Sequence, residues 1–233
     1  MSLEFLSPST GALARSPMER GAEAAGARLE LRAGWNVAVE FDGTEAERER
    51  CASTVGFADL SHLGKLEVQG SAEDVAALVD ASGGLATRRN GAWLCSYTPT
   101  RALVICEAEA LESTRAGLER AVAERTAPTS VLDVTTTHGA LVVVGPLARE
   151  LFARFTAIDL RPAVMPVHGW RPGSVARTPG AILHETEDRY LMLFGAALGH
   201  YVWTTVADAA ASLGGGPVGT NALAPIAEEL VHA

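Results

Sequence analysis

The sequence predicts an α+β fold made of two related subdomains, each running strand, helix, hairpin, helix. Three observations carry this. The stretch Gly56–Gly70, GFADLSHLGKLEVQG, alternates apolar and polar residues from Leu63 through Leu66 to Val68 and is followed by an Ala-rich helical run. The same pattern returns at Asp133–Gly145, DVTTTHGALVVVG, followed by PLARELFARF. Behind each copy lie two strand-like runs and a long helical segment. One such unit leaves an apolar sheet face uncovered, so two copies packed together make a single core.

Residues 1–27, rich in Ser, Pro, Gly and Ala without a sustained period, are expected to form an extended N-terminal arm or to lack order. Short strands are predicted at Leu29–Leu31 and Val37–Phe41 around Gly34-Trp35. Thr44-Glu45-Ala46-Glu47 reads as a capping box opening a charged helix, with the Thr44 hydroxyl satisfying a first-turn amide and Glu47 reaching back. Asp59 and Asp133 are placed where the two equivalent strands begin, as acceptors for nearby backbone amides.

The first hairpin spans Ala92–Tyr97 and Arg101–Cys106 across a Thr-Pro-Thr turn, with a helix over about 109–124. The second spans Val175–His184 and Tyr190–Phe194 across Glu-Thr-Glu-Asp, with a helix over about 196–213. Before the first hairpin, GGLATRRNG reads as a flexible loop without P-loop spacing. Before the second, residues 159–174 form a proline-stiffened loop carrying Trp170-Arg171. That loop offers a contact surface, or its tryptophan folds back to cap the core, and the second reading is preferred. Residues 28–127 and 128–213 thus form the two subdomains. Residues 214–233 form a tail that begins with three glycines and ends in a short acidic helix.

Composition narrows the function. Hydrophobic residues make up 48% and charged residues 20% of the 233 residues, as in an ordinary globular core. The net charge of −9, with 19 basic against 28 acidic residues, argues against nucleic-acid binding. Lys65 is the sole lysine. Cys51, Cys95 and Cys106 have no metal-ligand spacing and read as reduced thiols of a cytoplasmic protein. No apolar run reaches membrane-spanning length, and no signal peptide is evident, so no membrane partner is expected. The histidines include no pair at metal-ligand spacing, and the residues alone offer no catalytic constellation or metal site.

GWNVAVEF followed by GFADLSHLGKLEVQG resembles the start of the glycine-cleavage T-protein (aminomethyltransferase) family. The second half, from Val131-Leu132-Asp133-Val134 through GPLARELFARFTAIDL, GSVARTPGAIL and GHYVWTTVADA, resembles the gamma subunit of heterotetrameric sarcosine oxidase, in the same folate-binding superfamily. Together the resemblances cover about residues 29–213. They imply α+β subdomains around a tetrahydrofolate-sized cavity.

The superfamily's functional residues transfer poorly. Leu63 falls at an apolar pocket position, Cys95 and Ser96 replace the Asp-Asp that organises one-carbon transfer, and Glu107 falls near an Asn. His184 matches a Tyr that flanks the pterin, and Leu191 matches a Glu that pairs with it. The resemblance therefore implies a folate-like pocket of Asp59, His62, Leu63, Ser96, Glu107, His184 and Glu187. No residue in it is assigned as catalytic, and tetrahydrofolate would not be held tightly by this chain alone.

The function expected is a non-catalytic subunit of a complex that oxidises methylamines or handles one-carbon units, with flavoprotein oxidase or demethylase chains as partners. The alternative is a stand-alone tetrahydrofolate-dependent aminomethyltransferase-like enzyme using Asp59, His62 or Glu187. A folate-dependent helper in iron–sulfur protein maintenance ranks last, because those relatives carry a late cysteine motif and no Cys follows Cys106.

Overall fold

The computed structural model describes residues 11–80 and 84–223. Helix α1 (Glu19–Ala24) precedes the hairpin β1 (Arg28–Arg32) and β2 (Trp35–Glu40), helix α2 (Thr44–Ser53) and strand β3 (Gly56–Asp59). Next come β4 (Gly64–Gln69), α3 (Ala72–Val79), β5 (Thr87–Arg89), β6 (Ala92–Thr98), β7 (Arg101–Cys106) and α4 (Leu111–Ala123). The second half holds β8 (Ser130–Asp133), β9 (His138–Val144), α5 (Ala148–Phe152), β10 (Trp170–Val175), β11 (Thr178–Thr186), β12 (Arg189–Gly195), α6 (Gly199–Ala211) and β13 (Gly216–Pro217). The α+β class and both expected hairpins are present.

Strand alternation explains the layering. On β12, Leu191 and Leu193 join Leu183 of β11, Val142 of β9 and Trp93, Cys95, Leu103 and Ile105 of β6 and β7 in one cluster. Their neighbours Tyr190, Met192 and Phe194 instead meet Val202, Trp203 and Val206 of α6. On the other sheet Leu66, Val68, Leu94 and Val104 meet Val75 and Leu78 of α3, with α4 residues Leu118 and Val122 alongside. Successive side chains point to opposite faces of a strand, so this pattern makes four layers: helices, sheet, sheet, helices. No helix among the described residues is long and apolar enough to cross a membrane.

The two sheets do not coincide with the two repeats. One has the order β5-β6-β7-β4-β8 and the other β10-β11-β12-β9-β3-β13. Strand β3 of the first half pairs with β9 (Ala58 opposite Val142), and β8 of the second pairs with β4 (Val131 opposite Val68). The chain crosses between sheets after Asp59 and crosses back after Asp133. Contrary to the sequence expectation, each aspartate ends a strand, and the following strands begin at Gly64 and His138. Both crossings use one device: Asp59 Oδ1 accepts from the Ser61 amide at 2.9 Å, and Asp133 Oδ1 accepts from the Thr135 amide at 2.9 Å.

Lys65 ties the crossings together. Its Nζ, fully buried, donates to the carbonyls of Ser61 and Leu63 at 2.8 Å each and to that of Thr135 at 3.4 Å. Its own carbonyl accepts from the Val134 amide at 2.9 Å.

Three local expectations are corrected. Part of the N-terminal arm is helical: Met18 is fully buried and Gly21 lies on the Trp203 ring, where a Cβ would come within 2.5 Å of Cδ1. Residues 1–10 lie outside the described residues. The capping box does not form; the Thr44 hydroxyl donates to Glu40 at 2.5 Å, and Glu47 accepts the amides of Phe41 and Asp42 at 2.5 and 3.0 Å. In the tail, Gly216 and Pro217 add a parallel strand beside β3. The acidic terminal helix expected there lies outside the described residues.

Candidate functional site

A cleft of about 240 Å³ opens at one end of the layers, lined by β6, the β11–β12 hairpin, the first crossing and the end of β7. At its centre Glu185 holds two partners. The Trp93 indole Nε1 donates to Oε1 at 3.0 Å, and Arg189 Nε donates to Oε2 at 2.7 Å. Alternation places this pair: Leu183 and Leu191 face the inter-sheet core, so Glu185 and Arg189, two residues further out on either strand, share that face. All three groups are buried.

Of the residues expected in the pocket, His62, Leu63 and Glu107 line this cleft. Burial, followed by the Lys65 charge, pushes the His62 imidazole down to about 4. Desolvation and then neighbouring Glu109 raise the Glu107 carboxyl. Asp59 sits behind the cleft, where burial raises its carboxyl although Ser16 and Ser61 donate to it.

The other three are elsewhere. Ser96 donates to the Thr98 carbonyl at 3.1 Å and borders the groove between α3 and β10. His184 belongs to the opposite face of β11, stacked on Tyr190 at 4.3 Å with Nδ1 3.0 Å from the Met165 carbonyl. Glu187 is exposed on the hairpin turn. Trp93, Glu185, Arg189, Arg88 and Arg32 also line the cleft without having been anticipated. Their signal was present as an acid and a base four residues apart on a hairpin, each with a leucine two residues inward.

The neutral His62 makes a pH prediction. Its folded value of about 4 lies below the ordinary 6.5, so between these values the unfolded chain binds the extra proton. Stability is then fully present above pH 6.5 and falls as the pH drops toward 4, by roughly 3 kcal/mol at most. Urea midpoints for the wild type and His62→Gln should diverge at pH 7 relative to pH 4; parallel profiles would remove His62 as the cause.

Trp170, by contrast, is no surface feature. It is 1% exposed and packs edge-on against Tyr97, while Arg171 donates to the carbonyls of Gly84 and Val164 at 2.6 and 2.8 Å. Among the described residues no cluster of His, Cys, Asp and Glu is arranged for a metal ion.

Similarity to known proteins follows the fold. An aminomethyltransferase of Saccharopolyspora erythraea is 26% identical over 228 residues, covering 89% of this chain and 61% of that protein. One from Alkaliphilus oremlandii is 36% identical over 78 residues, covering 29% of this chain and 21% of its own. The chain thus spans less than two thirds of the length of these curated relatives. Among solved structures, glycine cleavage system aminomethyltransferase T of Bartonella henselae superposes with a TM-score of 0.71 at 17% identity, over 91% of this chain and 61% of that one. A chain of the heterotetrameric sarcosine oxidase of Corynebacterium sp. U-96 superposes with a TM-score of 0.66 at 21% identity, over 86% of this chain and 96% of that one. These structures share the fold. The family model for the sarcosine oxidase gamma subunit matches residues 70–212, from the end of β4 through α6. With most of both repeats inside that match, the chain belongs to the sarcosine oxidase gamma subunit family.

Proposed function

We propose that this chain is a non-catalytic, gamma-type subunit of a cytoplasmic, multi-chain enzyme that oxidises methylamines or handles one-carbon units, with flavin carried by partner chains. The observation that carries the reading is the family match over residues 70–212, to a family described as a subunit. The cleft supports it. Both oxygens of Glu185 are already engaged within the protein, and Cys95 and Leu191 are fully buried where the resemblance puts polar groups for a pterin. A cavity of about 240 Å³ also lies below the ~300–1,000 Å³ typical of pockets for drug-sized ligands. These residues do not fit a whole tetrahydrofolate held by its pterin ring. Exposed Val164 and Val167 of the 159–169 loop, with Leu85 beside it, provide apolar surface for a protein neighbour.

Co-expression with its flavoprotein partner chains tests the proposal. The expected result is a stable co-eluting complex, with no one-carbon transfer to reduced folate by the isolated chain. A strictly monomeric protein that catalyses transfer would overturn it in favour of the stand-alone aminomethyltransferase-like reading.

A further inference from the structure

Arg189 is incompletely satisfied. Its Nε is committed to Glu185, but its Nη1 is closed off from solvent and has no hydrogen-bond partner among the described residues, in a side chain only 9% exposed. A buried guanidinium N–H without an acceptor is costly, and more so than a neutral donor. Arg189 lines the cleft, and a turn of its guanidinium that brings Nη1 to the cleft wall would let an entering acceptor reach it.

The rest of the lining describes what would bring that acceptor. The Trp93 indole N–H is used by Glu185, which leaves its ring as an apolar wall; the Arg88 guanidinium lies 5.3 Å from the ring centroid. Arg88 makes no ion pair among the described residues, whereas Arg32 is held by Glu30 at 3.0 Å and Asn221 at 2.8 Å. Leu60, Leu63 and Leu223 supply further apolar surface. Three arginines and three glutamates, Glu107, Glu109 and Glu185, line the cleft together. Glu185 is bonded to Arg189, Glu30 to Arg32, and Arg88 shares its field with Glu107, so the lining carries no surplus of positive charge. An entering anion is drawn chiefly by the spare donor of Arg189, with Arg88 beside it. A second charge on it would stand uncompensated near Glu107 and Glu109.

We propose that the cleft binds a small monocarboxylate, its oxygens accepting from Arg189 and facing Arg88, and its apolar body lying on Trp93 and Leu63. Neither a partner chain nor a pterin is needed for this, so it is independent of the assembly reading.

The test titrates the isolated full-length chain with benzoate, benzamide and phenylphosphonate, following the Trp93 indole N–H by NMR after assignment with Trp93→Phe. Benzoate is expected to saturate in about the millimolar range or tighter, with benzamide and the phosphonate dianion at least about tenfold weaker. Arg88→Gln, a surface change, should weaken benzoate several-fold and leave benzamide unaffected. Arg189→Met, where folded, should abolish the preference for acid over amide. Equal binding of benzoate and benzamide, no benzoate binding, or an unchanged preference in folded Arg189→Met would each overturn the proposal. The acid–amide comparison on the wild type needs no variant to fold.

Discussion

Lys65→Met is expected to destabilise the protein by up to about 6 kcal/mol at pH 7 and by more at pH 10. Two opposed terms set the value. Burial pushes the Lys65 ammonium down to about 8 from 10.5, only partly offset by Asp59 and Asp133, so removing the charge recovers roughly 3 kcal/mol. Against this, the variant strips the donor from three carbonyls at the sheet crossings, those of Ser61, Leu63 and Thr135. At roughly 1–3 kcal/mol for each buried acceptor left unpaired, the loss outweighs the gain.

The pH dependence separates the terms. Between pH 8 and 10.5 the unfolded wild type holds a proton that the folded protein has released, so wild-type stability rises with pH through that window. The methionine variant lacks that rise. Urea unfolding at pH 7 and pH 10 should therefore show the gap between the two proteins widening, while contributions from Cys51 and Tyr97, common to both, cancel in the difference. A variant as stable as the wild type at both pH values would mean that the crossings do not depend on Lys65.

Periodicity revealed the sheets but not their membership. The alternation along β6, β7, β11 and β12 is strong because both faces are buried, one against the other sheet and one against helices. Nothing in that alternation says which sheet a strand joins. The information lies in the short segments after Asp59 and Asp133, where a side-chain acceptor turns the chain before the next strand starts. Aligning Asp59 and Asp133 pairs the two crossings but hides the exchange of β3 and β8 between the sheets.

The site was legible to the same degree. His62, Leu63 and Glu107 are named only through the family resemblance, and they line the cleft beside a crossing and a strand end. His184 was misplaced because matching by motif ignores the face: one residue along a strand moves a side chain to the other side of the sheet. Glu185 and Arg189 belong to no local motif; only the strand alternation that puts them on the face of Leu183 and Leu191 points to them.

Glu47 makes the second large prediction and shows the limit of local motifs. Its side chain is fully buried; besides the Phe41 and Asp42 amides on Oε1, its Oε2 accepts from the Gly219 amide at 2.7 Å. One carboxylate thus clasps the end of β2, the entry to α2 and the tail. Glu47→Gln keeps the shape but turns an amide donor toward a backbone donor on one side or the other, at a cost of about 2–4 kcal/mol. Glu47→Ala, which leaves three amides unpaired, should cost more.

Gly219→Ala tests the same clasp sterically, because an added Cβ would lie 2.0 Å from the Val39 carbonyl. In all three variants hydrogen exchange at Val218 should accelerate before that of the β9 core, since the tail is held at its edge of the sheet by β13 and this contact. Wild-type stability in Glu47→Gln would show that one amide of the three is satisfied by another acceptor. The residue spacing around Thr44 fitted a capping box well, but the partner that completes the cluster lies 172 positions away. A local pattern could name the acceptor without locating its donors.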